Sequence, residues 1–394
     1  MDSEIVIIGA GLAGLVAAIR LRQLGYQPIL IDASLPDAGG EVGGFAKFSG
    51  AKFSLPPAGM GLLSVAKTEA KLWDAINSVT EILGLDFSAV QKSSDRSNVM
   101  PTLREYSSLL LTPDEIDSLI FRLTSILNEL NVQLIRGHCD NISANDQSNT
   151  LTIKQHEATI IVNCKIVFYA GGRLGTESLI KAGVVPTDTK GIDVGVRIEF
   201  FENEGLSGLR QYGPDAKFIR ENCRTFCLNM PGEVYRYPFR NISVPGGVVA
   251  SESSTKSNVG ILYRTPEKIK IISNLIKVGS IIRKEDLELG FRVKGSALGH
   301  STSLLRDIYG EEAVDKLEEF CSYLGQNGLV DWNLEHVVHI PLIDWHWSTF
   351  AQEGTFKTTN KSIFCLGDSS GHARGLLQAA VSGWLAAEEY SYAS

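Results

Sequence analysis

EIVIIGAGLAGLVAAI, from Glu4 to Ile19, is the stretch that decides the fold of this 394-residue chain. An apolar run from Ile5 to Ile8 predicts a buried parallel strand, and the apolar residues that follow at helical spacing predict a helix. Between them, Gly9, Gly11 and Gly14 have the spacing G-x-G-x-x-G. The order strand, glycine turn, helix is typical of a unit that binds a dinucleotide.

Each glycine of this turn has a separate task. Gly9 permits the tight turn, Gly11 lets a pyrophosphate approach the backbone, and Gly14 lets the helix lie close on the strand. Leu12 and Ala13 begin the helix, whose first N–H groups and partial positive charge favour phosphate. We therefore expect these residues to bind a cofactor; a glycine-rich turn without a ligand is the alternative.

A second predicted strand, from Pro28 to Ile31, leads into Asp32. This acid follows the glycines by about 20 residues, which is where a carboxylate accepts hydrogen bonds from the adenosine ribose. Asp32 and its neighbour Ala33 are therefore predicted cofactor contacts.

A glycine-rich stretch, from Asp37 to Gly61, follows this unit and holds seven glycines and two prolines. Such a composition excludes a regular element, and long loops inside compact domains usually bind something. A plain surface loop is the alternative. The candidates for cofactor contact are Gly39, Gly40, Gly43, Gly44, Phe45, Lys47 and Lys52. The two lysines are candidates for contact with phosphate or flavin.

The next hundred residues complete the same unit. Thr112, Pro113 and Glu115 predict a capped helix that runs to about Leu130. A strand, a small antiparallel hairpin and the buried strand KIVFYA (165–170) follow. The last strand brings Ala170, Gly171 and Gly172 back beside the cofactor.

The pattern changes after residue 190. Alternating apolar residues from Asp193 to Phe201, and further short strands among prolines and glycines, predict a mainly β domain. We expect an α/β protein whose Rossmann-type FAD-binding domain carries an inserted mainly β substrate domain. The predicted boundaries are 1–190 and 351–394 for the FAD-binding domain and 191–350 for the insertion.

The end of the chain repeats the order of elements found at its beginning: strand, glycine turn and helix. KSIFCL (361–366) predicts a buried strand, a glycine turn follows, and Leu376 begins a helix. We expect Gly367, Asp368, Gly375 and Leu376 to bind a flavin, with Asp368 accepting a hydrogen bond from a ribityl hydroxyl and the helix N-terminus stabilising the reduced ring. The predicted catalytic residues are His372, Arg374 and Lys52. A backbone-positioning role is the alternative for His372.

Composition narrows the class of protein further. The formal net charge of −8 argues against a nucleic-acid surface, and six scattered cysteines without a C-x-x-C argue against a disulfide framework or a metal site. The acidic N-terminus is unlike a signal peptide, and we identify no membrane span. A cytoplasmic location is therefore expected.

Three stretches resemble a known family, the uncharacterised FAD-dependent dehydrogenases, which are related to glutathione-reductase-type flavoproteins. They are GGFAKFSGAKFS (43–54), RTFCLNMPGEV (224–234) and CLGDSSGHARGLLQAAVSG (365–383). Ser49 and Glu233 depart from the family's usual residues. The resemblance implies a glutathione-reductase-like FAD-binding domain and two-electron chemistry on FAD, without an assigned substrate.

Three functions stay open on the sequence. The first is an FAD-dependent oxidoreductase that acts on a small organic substrate, and the others are a flavin-dependent monooxygenase and a flavin-binding module that works with a partner protein. No second strand with G-x-G-x-x-G and helix is found in the middle of the chain, so NAD(P)H or a reductase is expected only as a transient electron partner. Trp345-His346-Trp347 and Cys227 are predicted to serve packing.

Overall fold

A computed structural model describes residues 1–34, 42–90, 103–144, 148–156, 158–173, 175–187, 191–214, 217–240, 242–280 and 289–393. Gly39 and Gly40 lie outside the described residues. In the described part of the chain, no helix is both long enough and apolar enough to cross a membrane.

The described strands are β1 (Asp2–Ile8), β2 (Ile29–Asp32), β3 (Lys52–Ser54), β4 (Leu103–Arg104), β5 (Ser108–Leu110), β6 (Gln133–Arg136), β7 (His138–Ala144), β8 (Asn149–Lys154), β9 (Thr159–Tyr169), β10 (Ile192–Phe200), β11 (Lys217–Arg220), β12 (Cys223–Asn229), β13 (Gly232–Phe239), β14 (Ile242–Val249), β15 (Ser257–Thr265), β16 (Phe291–Val293), β17 (His336–Asp344) and β18 (Ile363–Cys365). The described α-helices are α1 (Leu12–Gln23), α2 (Leu63–Ala66), α3 (Glu69–Leu83), α4 (Pro113–Glu129), α5 (Glu177–Lys181), α6 (Ser207–Arg210), α7 (Lys268–Gly279), α8 (Ser301–Tyr309), α9 (Glu311–Gln326) and α10 (Leu376–Ala393).

The first sheet has a parallel centre. Its order is β6-β2-β1-β9-β8-β7, and β18 pairs with β9 in parallel beyond the end of β8. Strands β6, β2, β1, β9 and β18 all run the same way, so their carboxyl ends meet at one edge. In open α/β sheets this edge is where ligands bind.

Helices α1 and α10 pack against each other through small residues. A Cβ added to Gly383 would lie 2.1 Å from the carbonyl oxygen of Ala13, so only glycine permits this approach. Ala17 is buried at the same contact. Helix α4 begins with the predicted capping box: Glu115 N–H donates to the Thr112 hydroxyl, and Thr112 N–H donates to the Glu115 carboxylate.

The second sheet, ordered β16-β17-β10-β15-β12-β11-β4, is antiparallel. The side chains of β10 alternate between two environments. Ile192, Val194, Val196, Ile198 and Phe200 join an apolar core with α8 and α9. The intervening polar residues, which include Asp193, Arg197 and Glu199, occupy the other face; we call it the polar face.

The hairpin β13–β14 joins this sheet to the glycine-rich loop of the first unit. Tyr235 stacks on Phe48 with ring centroids 4.7 Å apart. Val249 N–H donates to the carbonyl oxygen of Ser49 at 2.9 Å. The polar face therefore lies on the side of the second sheet that meets this glycine-rich loop. We call its described part, residues 42–61, the cofactor loop, because the sequence predicts that it contacts the cofactor.

Three details differ from the sequence predictions. Residues 159–169 form one strand where two were expected, because β9 pairs with β8 along its first half and with β18 along its last. Strand β17, which lies between β16 and β10 in the second sheet, was not predicted. Strand β4, from within 1–190, pairs with β11 of the second sheet. The boundaries at 190 and 350 stay a prediction.

Candidate functional site: the edge where both glycine turns meet

The first glycine turn has the geometry that its sequence predicts. Gly9 has φ +102°, and a Cβ on Gly14 would lie 1.9 Å from the Gly9 carbonyl oxygen. Both positions therefore require glycine for the fold. Gly11 differs, because its φ is −73° and no atom of the described residues lies within 4 Å of a Cβ built there. Gly11 thus leaves open space at the N-terminus of α1, before Leu12 and Ala13.

The glycine-rich loop lies directly against this turn. Gly43 N–H donates to the Ala10 carbonyl oxygen at 2.7 Å. Gly43 and Gly44 have φ of +106° and +57°, and a Cβ on Gly44 would lie 3.1 Å from Gly11 Cα. The structure thus brings the predicted contacts Gly11, Gly43, Gly44 and, next in the chain, Phe45 to one place.

Asp32 lies at the same edge, at the end of β2. One carboxylate oxygen accepts the Ala10 N–H at 2.6 Å, and the other accepts the Ser34 N–H at 2.8 Å. Asp32 therefore holds the glycine turn in place in addition to its predicted contact with a ribose. Ala33, the next residue, is exposed.

The strand ends that carry the remaining glycines are bonded to this turn. Ala170 N–H donates to the Ile8 carbonyl oxygen at 2.7 Å, and Leu366 N–H donates to that of Tyr169 at 2.9 Å. Gly171-Gly172 and Gly367 follow these residues. The two predicted cofactor motifs, at opposite ends of the sequence, therefore lie at the carboxyl ends of β1 and β18, the parallel strands on either side of β9.

The C-terminal turn is built on left-handed glycines. Gly367, Gly371 and Gly375 have φ of +58°, +81° and +117°. The Gly375 carbonyl oxygen accepts the Ala379 N–H at 2.9 Å, so α10, which starts at Leu376, directs its N-terminus to this turn. This is the second anion-binding helix end that the sequence predicts.

Asp368 and Arg374 belong to a chain of buried ion pairs that crosses to the second sheet. Arg374 donates to Asp368 at 2.9 Å and to Asp344 at 2.5 Å. Arg224 donates to Asp193 at 2.5 Å and lies 3.4 Å from Asp344.

The ends of this chain of ion pairs are two further arginines. Arg264 also donates to Asp193, at 2.8 Å from its terminal nitrogen. Arg173 Nε lies 3.6 Å from the Asp368 carboxylate. The sequence prediction assigned Asp368 to a ribityl hydroxyl; in this structure one of its oxygens serves Arg374.

These ion pairs fix the charges of their members. Burial favours the neutral carboxyl of Asp344, but Arg374 and Arg224 outweigh it and hold its pKa below the ordinary value. Burial likewise opposes the charge of Arg374, yet Asp344 and Asp368 raise its pKa. A permanently charged arginine is a poor proton donor, so the geometry gives Arg374 an electrostatic role.

The other two predicted catalytic residues have different surroundings. The His372 ring contacts the Gln352 carbonyl oxygen at 3.0 Å and the edge of Phe356, which agrees with the backbone-positioning alternative. Lys52 donates from its ammonium to the Leu228 carbonyl oxygen and so reaches the second sheet. Lys47, a phosphate candidate, forms an ion pair with Asp117 at 2.8 Å.

Two side chains beside the C-terminal turn carry buried polar atoms without a hydrogen-bond partner among the described residues. They are Arg173 Nε and both ring nitrogens of His346. The Arg173 guanidinium lies over Phe45 and Trp347, at 4.7 and 5.3 Å from the ring centroids. Burial, with Arg173 nearby, lowers the pKa of His346 to about 3, so the ring is neutral at physiological pH.

These atoms supply a test of whether a dinucleotide fits. Buried polar groups are nearly always hydrogen-bonded, so orphaned donors indicate a partner that the protein does not itself supply. Arg173 and His346 adjoin Phe45 and Trp347, and Trp347 donates to the carbonyl oxygen of Asp368 at 3.0 Å. Together with the open space at Gly11, they fit a cofactor that extends from the first glycine turn to the second.

The polar face of the second sheet adds groups next to this edge. Glu199 and His339 form a buried pair, with Nε2 and the carboxylate 3.1 Å apart. Burial lowers the pKa of His339, although Glu199 opposes that shift. Such a pair is able to hold a proton inside the protein. Arg197 lies in the same strand as Glu199, two residues before it, and its guanidinium donates to the side-chain oxygen of Asn258 at 2.7 Å.

Sequence reasoning missed Arg173, Arg197, Glu199, His339 and Asp344. Arg197 and Glu199 did carry a signal, because they are the polar members of an alternating strand, and alternation identifies two unlike faces. His339 and Asp344 carried none, because β17, with the sequence HVVHIPLID, shows no alternation of polar and apolar residues.

Two cavities lie outside the two glycine turns. A cavity of about 230 Å³ lies between the loop Ala46–Phe48, the start of α4 and Val249. A larger one, of about 560 Å³, is lined by Gly295–Gly299, Glu318, Ser322 and Trp332 and adjoins the helices on the apolar face. The smaller cavity adjoins the cofactor loop, whereas none of the residues that line the larger one belongs to either glycine turn.

Residues 7–69 match the family described as the NAD(P)-binding Rossmann-like domain. The first part of the chain is therefore a Rossmann-like nucleotide-binding unit. This match contains the first glycine turn, Asp32 and the Gly43–Gly44 loop. No curated protein matches the sequence.

Solved structures resemble the chain at low identity. A geranylgeranyl bacteriochlorophyll reductase-like protein from Thermoplasma acidophilum has a TM-score of 0.47 and 12% identity, over 100% of this chain and 78% of that one. The p-nitrophenol 4-monooxygenase from Pseudomonas putida has 0.45 and 13%, over 100% and 79%. A flavoprotein/dehydrogenase from Cytophaga hutchinsonii has 0.44 and 11%, over 100% and 77%.

Proposed function

We propose that this protein is an FAD-dependent oxidoreductase that acts on a small organic substrate at the junction of its two sheets. One observation carries the proposal: the two glycine turns, from opposite ends of the chain, meet at the carboxyl ends of β1 and β18, the two parallel strands that pair with β9. A single nucleotide-binding turn serves many cofactors, whereas a second helix N-terminus on the same edge suits a cofactor with a second anionic region.

Different residues of the chain hold different parts of the cofactor. The N-terminus of α1, with Gly11, receives the pyrophosphate, and Asp32 accepts from the adenosine ribose. The Gly43–Gly44 loop covers the extended part of the molecule. The N-terminus of α10 faces the ring, where its partial positive charge favours the anionic reduced form. The cofactor is FAD, which supplies two-electron transfer when bound.

Residues of the polar face complete the substrate side. Glu199 and His339 are placed to hold or move a proton, and the hairpin β13–β14 excludes water from the junction. Lys52 and Arg197 give this region positive charge. We infer that the substrate enters between the hairpin and the cofactor loop, near the 230 Å³ cavity.

The decisive experiment begins with the purified protein. Denaturation should release one FAD per chain, identified by chromatography against NAD and NADP standards. A protein that holds no flavin, and takes up none on reconstitution, would overturn the proposal. NAD in place of FAD would redirect it to nicotinamide chemistry.

Anaerobic reduction then separates the kinds of flavoprotein. The FAD-loaded protein is mixed with NADH, NADPH and a panel of metabolites, and the flavin absorbance band is followed. Bleaching by an organic metabolite supports a dehydrogenase or oxidase. Bleaching by NAD(P)H only when an organic substrate is present, followed by uptake of labelled oxygen, identifies a monooxygenase. No bleaching by any of them would favour the flavin-binding module.

A further inference from the structure

Arg197 is the most completely buried large side chain of the polar face, with 1% of its surface exposed. It lies at the centre of the second sheet, opposite His339 on one side and Gly260 on the other. Its Nη1 donates to Asn258 Oδ1 at 2.7 Å and to the Cys227 carbonyl oxygen at 3.3 Å. Both acceptors are neutral.

The carboxylates on this face have other partners. Asp193 and Asp344 pair with arginines, and Glu199 pairs with His339 and lies 3.6 Å from the ammonium of Lys256. Among the described residues, no carboxylate forms an ion pair with Arg197. A buried cation without a counter-ion is costly, and burial accordingly lowers the pKa of Arg197.

Two buried polar atoms at this place have no hydrogen-bond partner among the described residues. One is Arg197 Nε, a donor, and the other is Asn229 Oδ1, an acceptor. Asn229 also donates to Asn258 Oδ1 at 3.0 Å, so a single amide oxygen joins the two side chains. A planar guanidinium with an unused N–H, in a dry site, is suited to a carboxylate.

The cluster touches the cofactor loop. A Cβ on Gly50 would lie 2.3 Å from Asn229 Oδ1 and 3.3 Å from the ammonium of Lys52. Cys227, whose carbonyl oxygen accepts from Arg197, has φ +46°, an uncommon backbone conformation for a residue other than glycine. An anion held by Arg197 would therefore lie at the junction where we place the substrate.

We propose that Arg197 binds the carboxylate of the substrate, so that the substrate class is a small organic acid. This inference rests on the proposed function. Asn229 and Lys52 flank the bound group, and the hairpin β13–β14 closes over it.

The first test compares two arginines, the fully buried Arg197 and the half-buried Arg224, by thermal unfolding of the FAD-loaded protein. Arg197→Met removes a cation that has no counter-ion, so the unfolding temperature should stay the same or rise. Arg224→Met leaves Asp193 and Asp344 with one partner fewer, so the temperature should fall. A clear fall for Arg197→Met, with FAD still bound, would mean that Arg197 is structural and would overturn the proposal.

The second test measures selectivity for anions. Acetate, butyrate and benzoate are titrated against acetamide, butyramide and benzamide, and the unfolding temperature and the flavin band are recorded. At least one acid should stabilise the wild-type protein where its amide does not. Arg197→Met should weaken the binding of that acid by about thirtyfold or more, the usual cost of losing one partner of a buried charge pair.

Arg292→Met, at an exposed arginine, is the matched control and should bind the acid like the wild type. Equal responses to acids and amides, or an unchanged affinity in Arg197→Met, would overturn the proposal. A protein without FAD contradicts the proposed function instead, and the comparison of Arg197→Met with Arg224→Met then still reports on Arg197.

Discussion

Arg374 donates to Asp344 at 2.5 Å, and this ion pair joins the last glycine turn of the chain to the end of β17 in the second sheet. Asp344 is almost fully buried, with 2% of its side chain exposed. The nucleotide-binding unit and the second sheet are therefore held together by charge at the place where cofactor and substrate are proposed to meet.

Removing this arginine should destabilise the protein. Arg374→Met leaves a buried carboxylate with Arg224 alone, at 3.4 Å. We expect a loss of about 3 kcal/mol in the free energy of unfolding, measured by urea denaturation. The double variant Arg374→Met/Asp344→Leu should recover much of it, because the carboxylate is then absent too. Equal stability of Arg374→Met and wild type would show that the ion pair contributes nothing.

Gly11→Val should abolish FAD binding and leave the fold intact. The added side chain fills the open space at the N-terminus of α1, where the pyrophosphate is placed, and the backbone at φ −73° accepts it without strain. Flavin content and circular dichroism are the measurements. Gly14→Val is the contrasting variant and should fail to fold, because its Cβ meets a backbone oxygen. Full flavin occupancy in Gly11→Val would show that the phosphates lie elsewhere.

Asp32→Ala should weaken the binding of FAD without altering the visible spectrum of the bound form. A carboxylate that accepts from a ribose contributes on the order of 1–3 kcal/mol, and Asp32 also holds the Ala10 N–H. Equilibrium dialysis measures the affinity. Ser34→Ala, which removes only a hydroxyl neighbour of Asp32, is the control and should bind normally. A shifted spectrum with unchanged affinity would place Asp32 near the ring.

Protonation of His346 should make the protein less stable in mild acid. Its pKa is about 3 in the folded protein and near 6.5 when unfolded, so only the unfolded chain takes up a proton between these values. The stability contributed by the neutral ring is complete above pH 6.5 and declines as the pH falls toward 3. His346→Phe should show a shallower decline in urea denaturation from pH 7 to 4. Parallel curves for variant and wild type would contradict the lowered pKa.

The protein should lack a preformed nicotinamide site. The described part of the second sheet is antiparallel, so it is not a second Rossmann unit. We expect slow reduction by NADH and NADPH that does not saturate at micromolar concentration without an organic substrate, as measured by stopped-flow absorbance. Fast, saturable reduction under these conditions would reveal a site outside the proposed one.

The nucleotide-binding unit was determined by the sequence itself. The spacing of Gly9, Gly11 and Gly14 between an apolar strand and a helix depends on contacts within a few residues. Such a local pattern can be recognised in a single sequence. The capping box of Thr112 and Glu115 is a local pattern of the same kind, as is the alternation that predicts β10.

Only the tertiary structure decided which polar residues meet. Asp344 ends β17, whose sequence HVVHIPLID does not alternate between polar and apolar residues, so its acid shows no sign of a partner 30 residues away. Arg197 likewise gives no sequence signal that its acceptors would be neutral. Pairing between distant strands sets these neighbours, and the free energy of a buried charge depends on them.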